Sequence, residues 1–373
     1  MTQTLDVAIA AGGTAGHINP ALALAEELTQ RGHKVTFYGQ RHRLEGTLVP
    51  EAGYDFCEIK VTGFDRARPW TLVSALWRMR KARSELNKRF LSVGAPSVAI
   101  GFGAYVEMPL LEWCKSNGVP YVIHEQNSVP GLANKTCAHD ASTVCISFPS
   151  ASNAFDGKVG PNTKVVMSGN PVRRSVVDAS REQGRNAFGV AEDETLLLVF
   201  GGSLGARHLN EAIVALSGKL MERGKLRVVH STGKELYDEV MQSLSLAEDD
   251  KDRWQVMPYI SNMGEALSAA DLVVSRAGAS SVAEIAALSV PSILVPYPLA
   301  TADHQTTNAR YLVDAGAARL VSDDELDSKD FQTTLLELVD DAEQREQMRE
   351  AARKLGQDRA AAVLADQVES AAK

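Results

Sequence analysis

The chain has 373 residues, 45% hydrophobic and 23% charged, a length beyond what one hydrophobic core usually supports and a composition without the bias of disordered, collagenous or disulfide-scaffold proteins, so two globular domains are expected. Its net charge of −8 is uneven: the residues up to Val165 carry about +3 and the rest about −11, which excludes general nucleic-acid binding but allows a local contact with an anionic surface. Cys57, Cys114, Cys137 and Cys145 lie far apart with no C-x-x-C pair, which excludes a zinc knuckle or thioredoxin-like motif and fits a reducing cytoplasm.

The N-terminus lacks the basic start and cleavage site of a signal peptide, and no apolar run is long enough to span a bilayer. Leu5 to Ala11 predicts a strand that ends in Gly12-Gly13-Thr14-Ala15-Gly16-His17, after which PALALAEEL from Pro20 predicts a helix. Further strands are predicted at 34–38, 98–101, 121–124 and 143–147, with helical stretches between several of them, which is the order of a doubly wound parallel sheet. An apolar strand near 165–170 predicts the seam, giving a first domain over 1–165 and a second over 166–356. The second half repeats the opening, with a strand at 195–200, the turn Gly201-Gly202-Ser203-Leu204-Gly205-Ala206-Arg207 and a helix at 209–220. Strands follow at 227–230, 255–257, 272–275 and 292–295. Residues 341–372 read as helix from end to end, and the part from about 357 to 373 is expected to pack back on the first domain.

Each glycine turn puts backbone N–H groups at a helix N-terminus, where the dipole favours a phosphate, although glycine also serves close helix–strand packing without any ligand. Neither turn is a P-loop, and G-G-T-A-G-H departs from the dinucleotide fingerprint. No acid closes the second strand to hold a ribose, so a nicotinamide enzyme is disfavoured. His17 follows the first glycines and either accepts a proton from an acceptor hydroxyl or caps the helix. His124-Glu125-Gln126-Asn127 clusters polar groups at a strand's carboxyl edge, where open α/β sheets bind ligands; Glu125 can also be a buried, paired carboxylate. In SRAGASSVAE from Ser275, small residues admit a sugar closely, and Glu284 either takes both ribose hydroxyls or complements the helix dipole.

With GGTAGHINPALALAEEL from Gly12, GFGAYVEMP from Gly101, HEQNSVPGLANK from His124, SGNPVR from Ser168, GGSLGAR from Gly201, SRAGASSVAE from Ser275 and DHQTTNA from Asp303 in this order, the chain resembles the MurG family of bacterial UDP-N-acetylglucosamine transferases. These enzymes act on undecaprenyl-pyrophosphoryl-N-acetylmuramoyl-pentapeptide. The resemblance implies an α/β GT-B fold, two Rossmann-like doubly wound parallel-sheet domains facing across a cleft. It also implies an inverting β-1,4 transfer in peptidoglycan synthesis, with UDP-N-acetylglucosamine as substrate, no cofactor and no bound metal. On the donor side, matching positions imply Ser203 on the pyrophosphate, Glu284 on the ribose, Arg173 at the nucleotide and Tyr259-Ile260 at the uracil. Asn127, Ala279 through its backbone, and Gln305 match the contacts to the sugar. On the acceptor side, the resemblance implies Gly13, Thr14 and Gly16 on the acceptor pyrophosphate, with His17 as general base and Glu125 as an alternative or support. Ala15, Leu204 and His304 depart from residues common at those places.

A lipid-borne acceptor requires docking at the cytoplasmic face of the cell membrane. Between Arg66 and Arg89 stand eight basic residues and one acid, interleaved with Trp70, Leu72, Trp77 and other apolar side chains. Trp70, Leu72, Trp77, Arg78, Arg80 and Lys81 are the expected contacts with anionic lipid, the alternative being a solvated helix whose tryptophans are core. A UDP-N-acetylglucosamine 2-epimerase, a transferase for a soluble acceptor and a non-catalytic nucleotide-sugar sensor are the competing readings of the same fold.

Overall fold

Strands buried on both faces read as continuous apolar runs, and Val7-Ala8-Ile9-Ala10 and Leu196-Leu197-Leu198-Val199 are such runs, each residue at most 2% exposed. The computed structural model describes residues 4–61, 70–202 and 204–373. Each run is the centre of a parallel sheet. In the first sheet, β1 (Asp6–Ala10), β2 (Lys34–Gly39), β3 (Asp55–Glu58), β4 (Val98–Gly101), β5 (Tyr121–Glu125), β6 (Thr143–Ile146) and β7 (Lys164–Met167) lie in the order β3-β2-β1-β4-β5-β6-β7. The second takes β8 (Thr195–Phe200), β9 (Leu226–Ser231), β10 (Trp254–Met257), β11 (Leu272–Ser275), β12 (Ser292–Leu294) and β13 (Ala318–Leu320) in the order β10-β9-β8-β11-β12-β13. Both are doubly wound, and in each the strand order reverses beside the first strand, the place where ligands of such sheets bind.

The chain divides into two compact units, Met1–Arg173 with Arg359–Lys373, and Arg174–Asp358. The seam therefore falls after Arg173 and not at residue 165. The physical reason is that β7 pairs along β6, Val144 with Val165 and Ile146 with Met167, so a cut at 165 would split a strand of the first sheet. The closing helix Ala360–Ala371 places Leu364, Ala365 and Val368, all fully buried, among Ile9, Leu24 and Val122 of the first unit.

Two short strands escape the sequence reading. β3 (Asp-Phe-Cys-Glu) carries acids at both ends, and β13 has three residues with an exposed arginine, so neither shows an apolar run. The continuous helix expected over 341–372 is interrupted. Helix Ala342–Arg353 ends before Gly356, and a short 3-10 turn at Gln357–Arg359 precedes the closing helix. The helix expected at 209–220 is likewise two, Arg207–Ala215 and Ser217–Met221.

Helix Thr71–Val93 buries one face through Ala75, Ala82, Leu86 and Phe90, and Phe90 packs on Trp113 at a ring distance of 4.3 Å. Trp70 and Trp77 are not core: they are 71% and 63% exposed, and Leu76 is also exposed. Arg78, Arg80, Lys81, Arg83 and Lys88 are exposed on the same helix, with the Lys81 ammonium 5.6 Å from the Trp77 ring centre. Arg66, Arg68 and the Leu72 side chain lie outside the described residues. No described helix is long and apolar enough to cross a membrane.

Candidate active site

At the end of β1 the chain turns through Gly12 and Gly13 into helix Ala15–Gln30, with Thr14 at its N-cap. Amides of a first helical turn have no partners within the helix, which suits them to an anion. Gly13 does not fully match this expectation, because its N–H donates to Glu45 Oε2 at 3.1 Å. The Glu45 carboxylate is fully buried beneath the turn and also accepts from Gln40 N–H at 3.1 Å. Thr14 is exposed and Gly16 half-buried. The Thr14 hydroxyl lies 2.9 Å from His17 Nδ1. Burial lowers the His17 pKa below 6.5, against an opposing pull from Glu45, so the imidazole is neutral at neutral pH.

The carboxyl edge of β5 adds a buried polar cluster in the same unit. Glu125 Oε1 accepts the Asn127 N–H at 3.0 Å, and Oε2 accepts from Gly131 N–H at 3.0 Å and Asn134 Nδ2 at 2.8 Å. With both oxygens filled, Glu125 is the paired carboxylate of the sequence alternatives and shapes the loop that carries the half-buried Asn127. His124 is fully buried, with Nε2 3.0 Å from Gly169 O and Nδ1 2.9 Å from Gln126 Nε2. Donation from Nε2 and acceptance at Nδ1 fit one neutral tautomer, and burial pushes its pKa down to about 4. Arg173, at the end of the first unit, donates from Nε to Glu26 Oε1 at 3.0 Å.

In the second unit, β8 ends in the other glycine turn, and helix Arg207–Ala215 follows. Gly205 has φ +77°, and a side chain there would strike the Thr232 carbonyl, so only glycine closes this turn against the end of β9. Leu204 is exposed, and Ser203 lies outside the described residues. After β11, Gly278 caps helix Ala279–Ala287, on which burial raises the Glu284 pKa to about 7. Gln305 Oε1 accepts from Ala277 N–H at 3.2 Å and Tyr297 N–H at 2.9 Å, which fastens two neighbouring loops together. His304 opens helix His304–Val313, which also carries Gln305, and its Nδ1 lies 2.9 Å from Thr301 O. Tyr259 is half exposed, with the Lys234 ammonium 5.9 Å from its ring centre, and Ile260 is buried. No three His, Cys, Asp or Glu side chains among the described residues lie close enough together to hold a metal ion.

Three side chains that organise these turns were missed by sequence reasoning. Glu45 is one. Arg276 pairs with Asp323 at 2.6 Å and donates to Pro296 O at 3.1 Å, while Asp323 also holds His208 at 2.9 Å. Asn134 is the third. Glu45 and Arg276 meet partners 32 and 47 residues away, and Asn134 meets His124 and Glu125 about one short loop away.

Two doubly wound sheets with a helix N-terminus after the first strand of each are the architecture of the GT-B class, and the family matches make the chain a nucleotide-sugar transferase of that class. Residues 7–146 match the glycosyltransferase family 28 N-terminal domain and residues 196–368 its C-terminal domain. The chain is 38% identical to the UDP-N-acetylglucosamine--N-acetylmuramyl-(pentapeptide) pyrophosphoryl-undecaprenol N-acetylglucosamine transferase of Halothermothrix orenii, covering 97% of this chain and 98% of that one. It is also 38% identical to the protein of that name from Salinibacter ruber, over 98% and 97% of the two chains. Its structure is similar to crystalline Acinetobacter baumannii MurG, with a TM-score of 0.76 and 28% identity over 98% and 99% of the chains. The chain belongs to the MurG family.

The depressed His124 pKa makes stability depend on pH. An unfolded histidine takes up a proton near pH 6.5, whereas the native one resists until about 4, so the stabilisation is complete above 6.5 and is lost as pH falls toward 4. Urea midpoints are expected to drop across that window, and a His124→Gln variant is expected to start lower at pH 7.5 but fall less steeply. Equal slopes for the two proteins would contradict this.

Proposed function

We propose that the chain transfers N-acetylglucosamine from UDP to the 4-hydroxyl of a polyprenyl-pyrophosphoryl-N-acetylmuramoyl-pentapeptide, with inversion, while bound peripherally at the cytoplasmic face of the membrane. The observation that carries this reading is the 38% identity to relatives of that activity across nearly the whole chain, turns and strand ends included. UDP-N-acetylglucosamine is a substrate here, and no cofactor is called for by the chemistry.

In the transfer, the acceptor 4-hydroxyl oxygen attacks the anomeric carbon, the bond from that carbon to the β-phosphate oxygen breaks, and UDP departs with the electron pair. The acceptor proton goes to His17 Nε2. For that nitrogen to accept, Nδ1 must carry the ring hydrogen and donate it to Thr14 Oγ1, which the 2.9 Å separation supports. Thr14 and Gly16, with Gly13 as part of the turn's backbone, are assigned to the acceptor pyrophosphate. Glu125 acts as a support that shapes the Asn127 loop, since its oxygens are already filled.

The departing pyrophosphate is assigned to the turn at 201–205 and Ser203, where the N-terminal end of helix Arg207–Ala215 favours developing negative charge. Tyr259 offers an exposed ring for the uracil and Ile260 its backbone. Glu284 is assigned to the ribose. Gln305, its oxygen committed to two backbone amides, offers its NH₂ end to the sugar, together with Asn127 and the backbone of Ala279. Arg173, whose Nε donates to Glu26, is assigned to the nucleotide.

Exposed Trp70, Leu76 and Trp77 beside Arg78, Arg80 and Lys81 support an interfacial helix on anionic lipid, Leu72 completing the set of assigned contacts, at roughly 1 kcal/mol per basic residue near the surface.

The direct test is transfer of labelled N-acetylglucosamine from UDP to the lipid-linked acceptor, with UDP release in its absence pointing instead to hydrolysis or epimerisation. His17→Ala is expected to lower kcat by about 10² to 10⁴ with donor KM nearly unchanged; an unaltered kcat would remove His17 from the base role. Glu284 is ionised above about pH 7 and must be so to accept two hydroxyl hydrogens, so donor KM is expected to rise as pH falls from 8 to 6. A Glu284→Gln variant should raise KM and flatten that dependence, and a wild-type KM constant over the range would refute the assignment. Vesicles containing phosphatidylglycerol are expected to bind the protein in a salt-sensitive way that a Trp77→Ala, Arg80→Glu variant weakens; equal binding to neutral vesicles would count against the membrane face.

A further inference from the structure

The proposed chemistry makes no use of Glu107, the acid of Gly101-Phe102-Gly103-Ala104-Tyr105-Val106-Glu107. Its side chain is fully buried at the N-cap of helix Met108–Asn117. Oε2 accepts the Gly103 N–H at 2.5 Å, and Oε1 has no hydrogen-bond partner among the described residues. Burial, with Glu125 nearby, pushes its pKa up to about 8, so at neutral pH it is an uncharged carboxyl that grips an amide.

The gripped amide belongs to an unusual piece of backbone. Gly103 and Ala104 both adopt left-handed conformations, φ +84° and +66°, and a non-glycine residue there needs surrounding structure to hold it. Gly103 lies beside the His17 ring. A side chain built on Gly103 would stand 3.3 Å from His17 Cδ2, 3.4 Å from His17 Nε2 and 3.5 Å from Asn134 Nδ2. The imidazole is thus held at Nδ1 by Thr14, and its Nε2 edge lies beside Gly103 with too little room between them for a methyl group at normal contact distance.

We infer that Glu107 is a positioning residue for His17: its carboxyl pins the Gly103 amide, and the pinned backbone sets where the Nε2 edge of the imidazole rests. This rests on the reading of His17 as general base. Losing the pin leaves the base chemically intact but displaced, and displacements of about 1 Å cost on the order of 10² in rate.

The test is a set of kcat and KM measurements on the full chain with UDP-N-acetylglucosamine and the lipid-linked acceptor. Glu107→Gln stays uncharged and keeps an oxygen for the Gly103 amide, so its kcat is expected within about threefold of wild type. Glu107→Leu removes the acceptor, and kcat is expected to fall about 10- to 100-fold with donor KM unchanged. In a His17→Ala background the leucine substitution is expected to cost nothing further. Should Glu107→Leu not fold, Gly103→Ala leaves Glu107 in place, pushes on the ring edge and is expected to give the same kcat-selective loss. Equal losses with and without His17, or a Glu107→Gln variant as damaged as the leucine one, would overturn this inference alone. A His17→Ala enzyme with full kcat would overturn the base assignment and this inference with it.

Discussion

The two strand-to-helix turns exist because a central parallel strand must deliver its chain to a helix at the edge of the sheet, and the first amides of that helix then have no partners of their own. Everything else in the site is arranged around keeping those turns in shape. Beneath the first, the buried Glu45 carboxylate ties Gly13 to Gln40 across the top of the sheet. In the second, Gly205 packs directly against the Thr232 carbonyl, which leaves no room for a side chain. Parallel pairing then brings the carboxyl ends of β5 and β11 to the same edges as the turns, so residues far apart in sequence meet without any long loop.

The first unit concentrates buried ionisable groups around its turn: Glu45, Glu107, Glu125, His17 and His124. Burial lowers the pKa of both histidines and raises those of Glu107 and Glu125, so the imidazoles are neutral and Glu107 is protonated at neutral pH, while Glu45 and Glu125 accept hydrogen bonds from backbone amides. A neutral imidazole with one nitrogen anchored is the form a general base requires. Glu125, by contrast, has three donors on its two oxygens.

Much of this was legible in the sequence because the strongest signals are local. Gly12 to His17 and Gly201 to Arg207 announce themselves as glycine turns between an apolar run and a helix, and His124 to Asn127 as a polar cluster at a strand's end. Glu45 and Glu107 carried no comparable signal: Glu45 serves an amide 32 residues away, and Glu107 closes a turn whose left-handed backbone is invisible before folding. The edge strands β3 and β13 were missed because they bury little apolar surface, and the interrupted C-terminal helix because Ala, Glu and Arg favour helix on either side of Gly356. The exposure of Trp70 and Trp77 needed the structure, since tryptophans at those spacings fit a core face or a surface equally well.

The central claim is a division of labour, with the second unit's turn holding the leaving diphosphate and the first unit's turn serving the acceptor. A crystal structure of the chain with bound UDP-N-acetylglucosamine measures this most directly. The account predicts the uracil against Tyr259 and Ile260, the ribose on Glu284 and the pyrophosphate at the 201–205 turn. A nucleotide seated instead on the turn at 12–16 beside His17 would contradict it.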